Sequence, residues 1–330
     1  SKRPERGGCG GCIGYWTDVT TAAPFTKDEK GKKSFCVLKK VATQNPKLPP
    51  ADMNVYLLAC FFVAATATNV SMCIDDPQWT VTFNDDFDTL NTTRWTVRNK
   101  MTHGAAEKEM YMAGNIAVAN GTLILTTKKE TVYNGQYNKT YNYTSGWIDS
   151  KGQFSQQYGR FEVRAKLPSP KVGRPGKWPN AWPAHWLMPE SDICWPMGGE
   201  IDIMEAYRPT PSKQGSMIMT YHWASERGKD LYDGKNELFP NASNTTVVDW
   251  SNEYHTFGVE WSKNRIEWYV DGVLKHYRTT GQPSNLFIPT LPFYMILNTA
   301  MEPWSDHTLD EHLPALHVID RVTWCVPKET

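Results

Sequence analysis

The stretch FGVEWSKNRIEWYVDG, residues 257–272, decides the fold class of this chain. Apolar and polar side chains alternate in residues 257–261 and again in residues 265–270, which is the period of a β-strand with one buried face. Ser262-Lys263-Asn264 separates the two runs and predicts a three-residue hairpin loop. Asp271-Gly272 follows at once and predicts another tight turn. The stretch therefore indicates consecutive antiparallel strands.

The same pattern recurs on both sides of this stretch. Short alternating runs occur at residues 79–83, 122–126, 159–165 and 318–324. No amphipathic helical pattern longer than two turns separates them, and parallel sheets need such crossovers. The chain therefore predicts an all-β domain, an antiparallel sandwich or barrel, over residues 75–327.

Composition excludes two classes of protein. The chain has 330 residues, 35 basic and 35 acidic side chains, and 40% hydrophobic residues. These values are ordinary for a folded domain and unlike those of a disordered chain or a polybasic nucleic-acid binder. We therefore expect no nucleic-acid partner, and we expect a monomer. The 14 Trp suit either a packed β-core or flat platforms for sugar rings, and composition does not separate the two.

The first 52 residues differ from the rest of the chain. They carry ten Lys or Arg against five Asp or Glu and show no period of either 2 or 3.6, which predicts a basic, poorly ordered segment. An uncharged run, VYLLACFFVAATA at residues 55–67, follows and is short for a membrane span. With Met53 before it and a small-x-small sequence at its end, the run predicts a signal peptide over 53–67 that is cleaved after Ala67.

Cleavage at that point would place the rest of the chain outside the cell and leave residues 1–52 out of the mature protein. The alternative is a signal anchor at 53–67 that tethers an extracellular domain to the membrane. N-glycosylation sequons support an extracellular location. We expect N-glycans at these seven sequons: Asn69, Asn91, Asn120, Asn138, Asn142, Asn241 and Asn244.

Three cysteines follow residue 67, namely Cys73, Cys194 and Cys325. An odd number leaves one of them unpaired. Cys73 and Cys325 bracket the predicted domain, and the two ends of a domain commonly lie close together. We therefore predict a disulfide between Cys73 and Cys325 and a free Cys194 in a loop. A fully reduced set is the alternative.

Three carboxylates lie close together in GGEIDIMEAY, residues 198–207. On a regular strand Glu200 and Asp202 share a face, whereas Glu205 is one residue out of phase. A β-bulge near residues 203–204 would return Glu205 to that face. The carboxyl groups of Glu200 and Glu205 would then lie about 5–7 Å apart, close to the roughly 5–5.5 Å of retaining glycosidases. A solvated strand face or a calcium site is the alternative that the spacing leaves open.

Several stretches, in the same order along the chain, resemble glycoside hydrolase family 16 and specifically its laminarinase-like branch. Residues 200–205, EIDIME, match the E-[ILV]-D-x-x-E of that branch. Four further stretches are similar to family motifs: DDFD at 85–88, YGRFEVRAKLP at 158–168, WPAHW at 182–186 and PFYMILN at 292–298. The resemblance covers about residues 75–327 and does not reach residues 1–52.

The resemblance implies a concanavalin A-like jelly roll, a β-sandwich of two curved antiparallel sheets with a sugar-binding cleft along the concave face. By position, Glu200 would be the nucleophile that forms a glycosyl-enzyme. Glu205 would protonate the leaving oxygen and then deprotonate the incoming water. Asp202 would help to separate the proton affinities of the two. This chemistry requires no cofactor.

The resemblance also implies residues that bind substrate or metal. Trp182 and Trp186 would be platforms for sugar rings, with core packing as their alternative. Further candidates are Glu109, Tyr111, His222, Asn298 and Trp304. Many family members hold a structural calcium on the convex face, and Asp86 and Asp320 are the corresponding residues here.

We therefore expect a secreted, retaining endo-glycosidase with a polysaccharide partner, either β-1,3-glucan or mixed-linkage β-1,3/1,4-glucan. A non-catalytic β-glucan recognition protein is an alternative from a different class, which the presence of all three acids disfavours. A galactan hydrolase or a transglycosylase of the same fold is a further alternative, because a retaining intermediate can pass its sugar to a second sugar.

Overall fold

The structure is a computed structural model that describes a defined part of the chain, namely residues 72–103, 107–168, 181–207, 216–224, 231–238, 250–251, 253–282, 284–301, 310 and 312–329. The predictions for residues 1–67 therefore lie outside the described residues, and so do those for Asn69, Asn241, Asn244 and Trp304. The division of the chain into an N-terminal segment, a signal sequence and a domain stays a prediction.

The described residues form seventeen strands and two three-residue 3-10 helices, Cys73–Asp75 and Ala113–Asn115. The strands are β1 Trp79–Asp85, β2 Thr96–Val97, β3 Glu109–Tyr111, β4 Ile116–Ala119, β5 Thr122–Asn134, β6 Lys139–Ser145, β7 Trp147–Asp149, β8 Gly159–Lys166, β9 Ala181–Pro189, β10 Glu200–Tyr207, β11 Ser216–Trp223, β12 Leu231–Leu238, β13 His255–Ser262, β14 Arg265–Val270, β15 Val273–Thr279, β16 Phe293–Met301 and β17 Ala315–Pro327. No helix among the described residues has the length and apolarity that a membrane crossing requires.

The strands assemble into two sheets. The larger sheet has the order β15-β14-β13-β8-β17-β5-β6-β3, with β1 beside β17 and β4 beside β5. The smaller sheet has the order β12-β11-β10-β9-β16-β7-β2. Every described pairing is antiparallel except that of β3 with β6, which is parallel. The prediction of an all-β sandwich is confirmed.

The hairpin stretch at 257–272 folds as its alternation predicts, with one difference. Residues 257–270 form β13 and β14, and their apolar members, such as Phe257, Trp261 and Trp268, are buried between the sheets. Ser262 pairs with Arg265 and therefore belongs to the strand, so the loop has two residues instead of the predicted three. Asp271 and Gly272 both have positive φ, 50° and 72°, which a type I′ turn requires.

Two buried histidines connect the sheets. His185 of β9 and His317 of β17 stack with ring centroids 5.0 Å apart, and their Nε2 atoms are 3.0 Å apart. Burial lowers the pKa of His185 well below its ordinary value and lowers the pKa of His317 to about 3. Both rings are therefore neutral, and the Nε2–H of one ring donates a hydrogen bond to Nε2 of the other. Nδ1 of His317 lies 3.1 Å from the Thr299 hydroxyl.

A disulfide connects the two ends of the described domain. Cys73 and Cys325 are bonded, with their Cα atoms 6.2 Å apart, and the bond closes a loop of 252 residues in sequence separation. Cys194 is also disulfide-bonded, and its partner lies outside the described residues. The prediction that Cys194 is free is therefore wrong, because a disulfide occupies its sulfur.

Candidate active site

The carboxylates of β10 lie near the middle of the smaller sheet, where β10 is flanked by β9 and β11. Along β11, Asp202 pairs with Thr220 but Glu205 pairs with Ile218, so three steps on β10 match two on β11. The register with β9 shifts at the same place. The β-bulge predicted at residues 203–204 is confirmed.

The bulge determines which face each side chain of β10 occupies. Ile201, Ile203 and Met204 all pack into the core between the sheets. The two consecutive inward residues, Ile203 and Met204, move Glu205 onto the same outer face as Glu200 and Asp202. We call this outer face, defined by Glu200, Asp202 and Glu205, the acid face. Glu200 and Glu205 are partly exposed there, and Asp202 is buried between them.

A tryptophan from the opposite sheet holds the bulge. Trp268 of β14 is fully buried, and its indole Nε1 donates a 2.8 Å hydrogen bond to the carbonyl oxygen of Asp202. A bulge disrupts the ladder locally, and a buried carbonyl without a donor is costly. Trp268 therefore supplies, through the core, a hydrogen-bond donor to the backbone of β10.

We expect Trp268→Phe to lower kcat by about tenfold or more, because Asp202 and Glu205 lose their fixed positions. The free energy of unfolding should also fall by about 1–3 kcal/mol for the unsatisfied carbonyl. Trp261→Phe is the matched control, since Trp261 is equally buried but donates to Pro289 instead of β10. Steady-state kinetics and urea unfolding of both variants check this. Equal kcat in the two variants would contradict the role of Trp268.

A histidine and a tryptophan surround Glu200. His222 lies directly across from Glu200 on β11, and its Nε2 is 3.3 Å from Oδ2 of Asp202. Trp195, in the segment before β10, donates from Nε1 to Oε2 of Glu200 over 2.6 Å. The ring of Trp195 also lies 5.7 Å from that of His222. His222 was predicted on the neighbouring strand, whereas sequence reasoning missed Trp195.

Burial sets the proton affinities of the cluster. Desolvation, and then the charge of Asp202, raises the pKa of Glu200 to about 8. Desolvation, and then the charge of Glu205, raises the pKa of Asp202 to about 6. His222 and the Trp195 hydrogen bond oppose the rise at Glu200 because they favour its charged form. A proton therefore resides mainly on Glu200, and neighbouring positive groups decide how readily Glu200 gives it up.

One cluster among the described residues has the spacing of a metal site. Single side-chain ligand atoms of Glu200, Asp202 and His222 lie within 4.8 Å of one another. Oε2 of Glu200 already accepts a hydrogen bond from the Trp195 N–H, and a cation bound there would repel this donor. We therefore interpret the cluster as a set of acids and bases.

Trp182 lies beside Glu205 on the acid face. It is partly exposed, and its Nε1 donates a 3.0 Å hydrogen bond to Oε1 of Glu205. This position suits the predicted role of Trp182 as a platform next to Glu205, the predicted acid–base residue. Trp186, four residues further along β9, is only 7% exposed and packs in an aromatic cluster with Tyr111, Trp147 and Ile296.

A chain of hydrogen bonds supports that aromatic cluster. Trp186 donates to Oδ1 of Asn298 over 2.8 Å, and Nδ2 of Asn298 lies 3.1 Å from the Tyr111 hydroxyl. Oε2 of Glu109 accepts a 2.8 Å bond from the backbone of Met301. Glu109 and Tyr111 are both 0% exposed, so the structure does not place them on the surface where we expected them to contact sugar. Tertiary packing buries both side chains.

The residues predicted to bind calcium lie elsewhere, on the larger sheet. Asp86 is exposed at the end of β1. Asp320 of β17 accepts a hydrogen bond from Arg164 through Oδ2, while its Oδ1 is buried without a hydrogen-bond partner. No pattern in the sequence predicts the Arg164 ion pair, because that pair depends on the pairing of β8 with β17.

Comparisons with known proteins identify relatives of the described domain. The family model described as "Beta-porphyranase A-D, GH16 domain" matches residues 78–317. Glucan endo-1,3-beta-glucosidase A1 of Niallia circulans is 30% identical over 242 residues, which cover 66% of this chain and 33% of that protein. Endo-1,3-1,4-beta-glycanase EglC of Rhizobium meliloti is 30% identical over 256 residues, which cover 71% of this chain and 49% of that protein. This chain thus spans a third to a half of these relatives.

A solved structure shows the same architecture. The laminarinase catalytic domain of Thermotoga maritima superposes with a TM-score of 0.63 at 29% sequence identity. The match covers 76% of this chain and all of that domain. The predicted jelly roll is therefore confirmed.

Proposed function

This chain belongs to glycoside hydrolase family 16, and from that premise we propose that it is a retaining endo-β-glucanase acting on β-1,3-glucan or mixed-linkage β-1,3/1,4-glucan. The bulge in β10 is the observation that carries the proposal, because it brings Glu200 and Glu205 to one face with Asp202 between them. Glucanase names among the relatives support the substrate class.

The geometry suits a double displacement. Glu200 attacks the anomeric carbon as Glu205 protonates the departing glycosidic oxygen, which gives a glycosyl-enzyme and a free chain end. Glu205, now a carboxylate, takes a proton from water as that water attacks the same carbon and releases Glu200. Trp182 fixes the orientation of Glu205 through its 3.0 Å hydrogen bond. The proton that Glu200 holds must leave before the first step, and Asp202 or His222 is placed to accept it.

Product analysis tests this function. The chain, expressed by secretion, is incubated with laminarin, with a mixed-linkage β-glucan and with porphyran, and early products are followed together with their anomeric configuration. Short oligosaccharides with retained configuration from either glucan support the proposal. Cleavage of porphyran alone would indicate a galactan hydrolase, a result in line with the description of the matching family model as a beta-porphyranase domain. Binding to glucan without cleavage would indicate a recognition protein, and products longer than the substrate would indicate transglycosylation.

We further propose that the protein is secreted and acts as a glycosylated monomer. A disulfide between Cys73 and Cys325 is typical of proteins outside the cytosol. The sequon residues that fall in the described part of the chain all reach the surface, at Asn91, Asn120, Asn138 and Asn142. N-terminal sequencing of the secreted protein tests cleavage after Ala67, and a signal anchor would instead leave the protein on membranes. The loss of mass on enzymatic deglycosylation tests the glycans.

A structural calcium near Asp86 and Asp320 is a separate proposal. The buried, unpartnered Oδ1 of Asp320 supports it, whereas the adjacent Arg164 opposes it. We expect added Ca²⁺ to raise the melting temperature of chelator-treated protein, and Asp320→Asn to remove that increase. An unchanged melting temperature would contradict a site at these residues.

A further inference from the structure

His103 occupies a defined position beside the acid face. Its ring centroid lies 5.2 Å from that of Trp147 and 5.6 Å from that of Trp186. Trp186 is the cross-strand partner of Asp202, so its side chain lies next to the acid cluster on the β9 side. The side chain of His103 is 51% exposed, although both tryptophans under it are buried. An imidazole thus covers an indole platform next to the catalytic acids.

A pair of glutamates favours the cationic form of His103. Nδ1 of His103 lies 3.2 Å from Oε1 of Glu107, and the Tyr111 hydroxyl donates to the other oxygen of Glu107 over 3.2 Å. Burial, and then the charge of Glu107, raises the pKa of Glu109 well above its usual range. Glu109 is therefore neutral, which leaves the negative charge of the pair on Glu107 beside the imidazole.

The imidazole and the nucleophile influence each other. Partial burial on its own would lower the pKa of His103, but the hydrogen bond that His103 donates to Glu107 and the charges of Glu107 and Glu200 outweigh it and raise that pKa. Reciprocally, His103 favours the charged form of Glu200. Around Glu200 the other groups are Asp202 on β10, His222 on β11, Trp195 before β10 and Tyr294 on β16. His222 is already engaged by Asp202, so His103 is a second positive group for Glu200.

We propose that His103, fixed by Glu107 on the Trp147–Trp186 platform, is a positioning residue that favours ionisation of the nucleophile Glu200. This inference rests on the proposed function for its kinetic consequence, although the electrostatic coupling itself does not. Because the imidazolium stabilises the carboxylate, loss of His103 should let Glu200 keep its proton to higher pH. The role differs from simple support of the aromatic cluster, which would not depend on charge.

The pH profile of kcat/KM reports this coupling, since its acidic limb follows the essential base of the free enzyme. We expect His103→Gln to move the acidic limb upward by ~0.5–1 pH unit, the size of a partly screened charge interaction. His103→Lys should return the limb toward its wild-type position by restoring the charge. His255→Gln is the matched control, because His255 pairs with Asp271 on the larger sheet. A limb that stays in place in folded His103→Gln would overturn the proposal, as would failure of Lys to restore it.

A titration independent of activity separates this inference from the proposed function. The pKa of His103 is measured by NMR in the wild type, in Glu200→Gln and in Glu267→Gln, which removes a carboxylate of the larger sheet. We expect the pKa of His103 to fall in Glu200→Gln only. An unchanged value in Glu200→Gln would overturn the coupling even in an active enzyme. A fall in a protein that cleaves no glucan would support the coupling while the proposed glucanase function fails.

Discussion

Glu200→Gln is expected to lower turnover of β-glucan at least about a hundredfold, because an amide cannot form the glycosyl-enzyme. Binding of the polymer should survive, since glutamine has the shape of the protonated glutamate and the pKa of Glu200, about 8, shows that the site already accommodates the neutral form. Steady-state hydrolysis and affinity electrophoresis on the same glucan measure the two effects. Residual turnover above about one-hundredth of wild type would contradict the assignment of Glu200 as nucleophile.

Two variants make that result specific. Glu267→Gln removes a carboxylate that pairs with Arg265 on the larger sheet, and turnover should stay at the wild-type level. Glu205→Gln should also lose activity on glucan, but an aryl glycoside with a good leaving group needs no acid in the first step. Glu205→Gln should therefore still form and accumulate the glycosyl-enzyme from such a substrate, whereas Glu200→Gln should not. Identical behaviour of these two variants would contradict the separate roles.

The buried histidine pair should make the domain sensitive to acid. His185 and His317 are neutral when folded, because burial lowers both pKa values, but in the unfolded chain they take up protons below about pH 6.5. Their contribution to stability is therefore complete above that pH. It is lost as pH falls toward about 3, the folded pKa of His317. Each histidine should contribute a slope of about 1.4 kcal/mol per pH unit within that window.

His185→Phe isolates this effect, since phenylalanine keeps an aromatic ring between the sheets and cannot take up a proton. Compared with wild type, the variant should gain about 2–3 kcal/mol of relative stability between pH 6.5 and 4.5. Urea unfolding across this range measures the difference, and His255→Gln, at the first residue of β13, serves as the comparison. Parallel pH dependence of wild type and His185→Phe would show that the pair does not titrate in this way.

Local sequence was sufficient for the strands and for the bulge. Alternation in residues 257–270 reflects a sheet with one face in the core, and the structure places β13 and β14 there. Asp202 and Glu205 are an odd number of residues apart, so a regular strand would place them on opposite faces. The extra residue needed to bring them to one face was therefore predictable as a bulge. Both are properties of a few neighbouring residues, because in a pleated strand the position of a residue decides which face of the sheet its side chain occupies.

Apart from the disulfide between Cys73 and Cys325, the contacts between distant segments were not predictable. Trp268 reaches the Asp202 carbonyl, and His185 reaches His317, across a core whose register depends on the packing of two sheets. Glu109 was expected to contact sugar, but no pattern in its own segment shows that Met301 and Tyr111 surround it. Side-chain spacing along one strand carries no information about which strand lies opposite.

The sequence by itself determined three things: the all-β class, the common face of the three acids, and a chemistry that relies on carboxylates. These follow from the period of a strand and from residue type. Only the tertiary structure decided which groups control those acids. Burial raises the proton affinity of Glu200, and the residues that oppose this rise, His222, Trp195 and His103, come from three separate segments. Desolvation and charge interactions depend on distances through space, and the folded sandwich sets those distances.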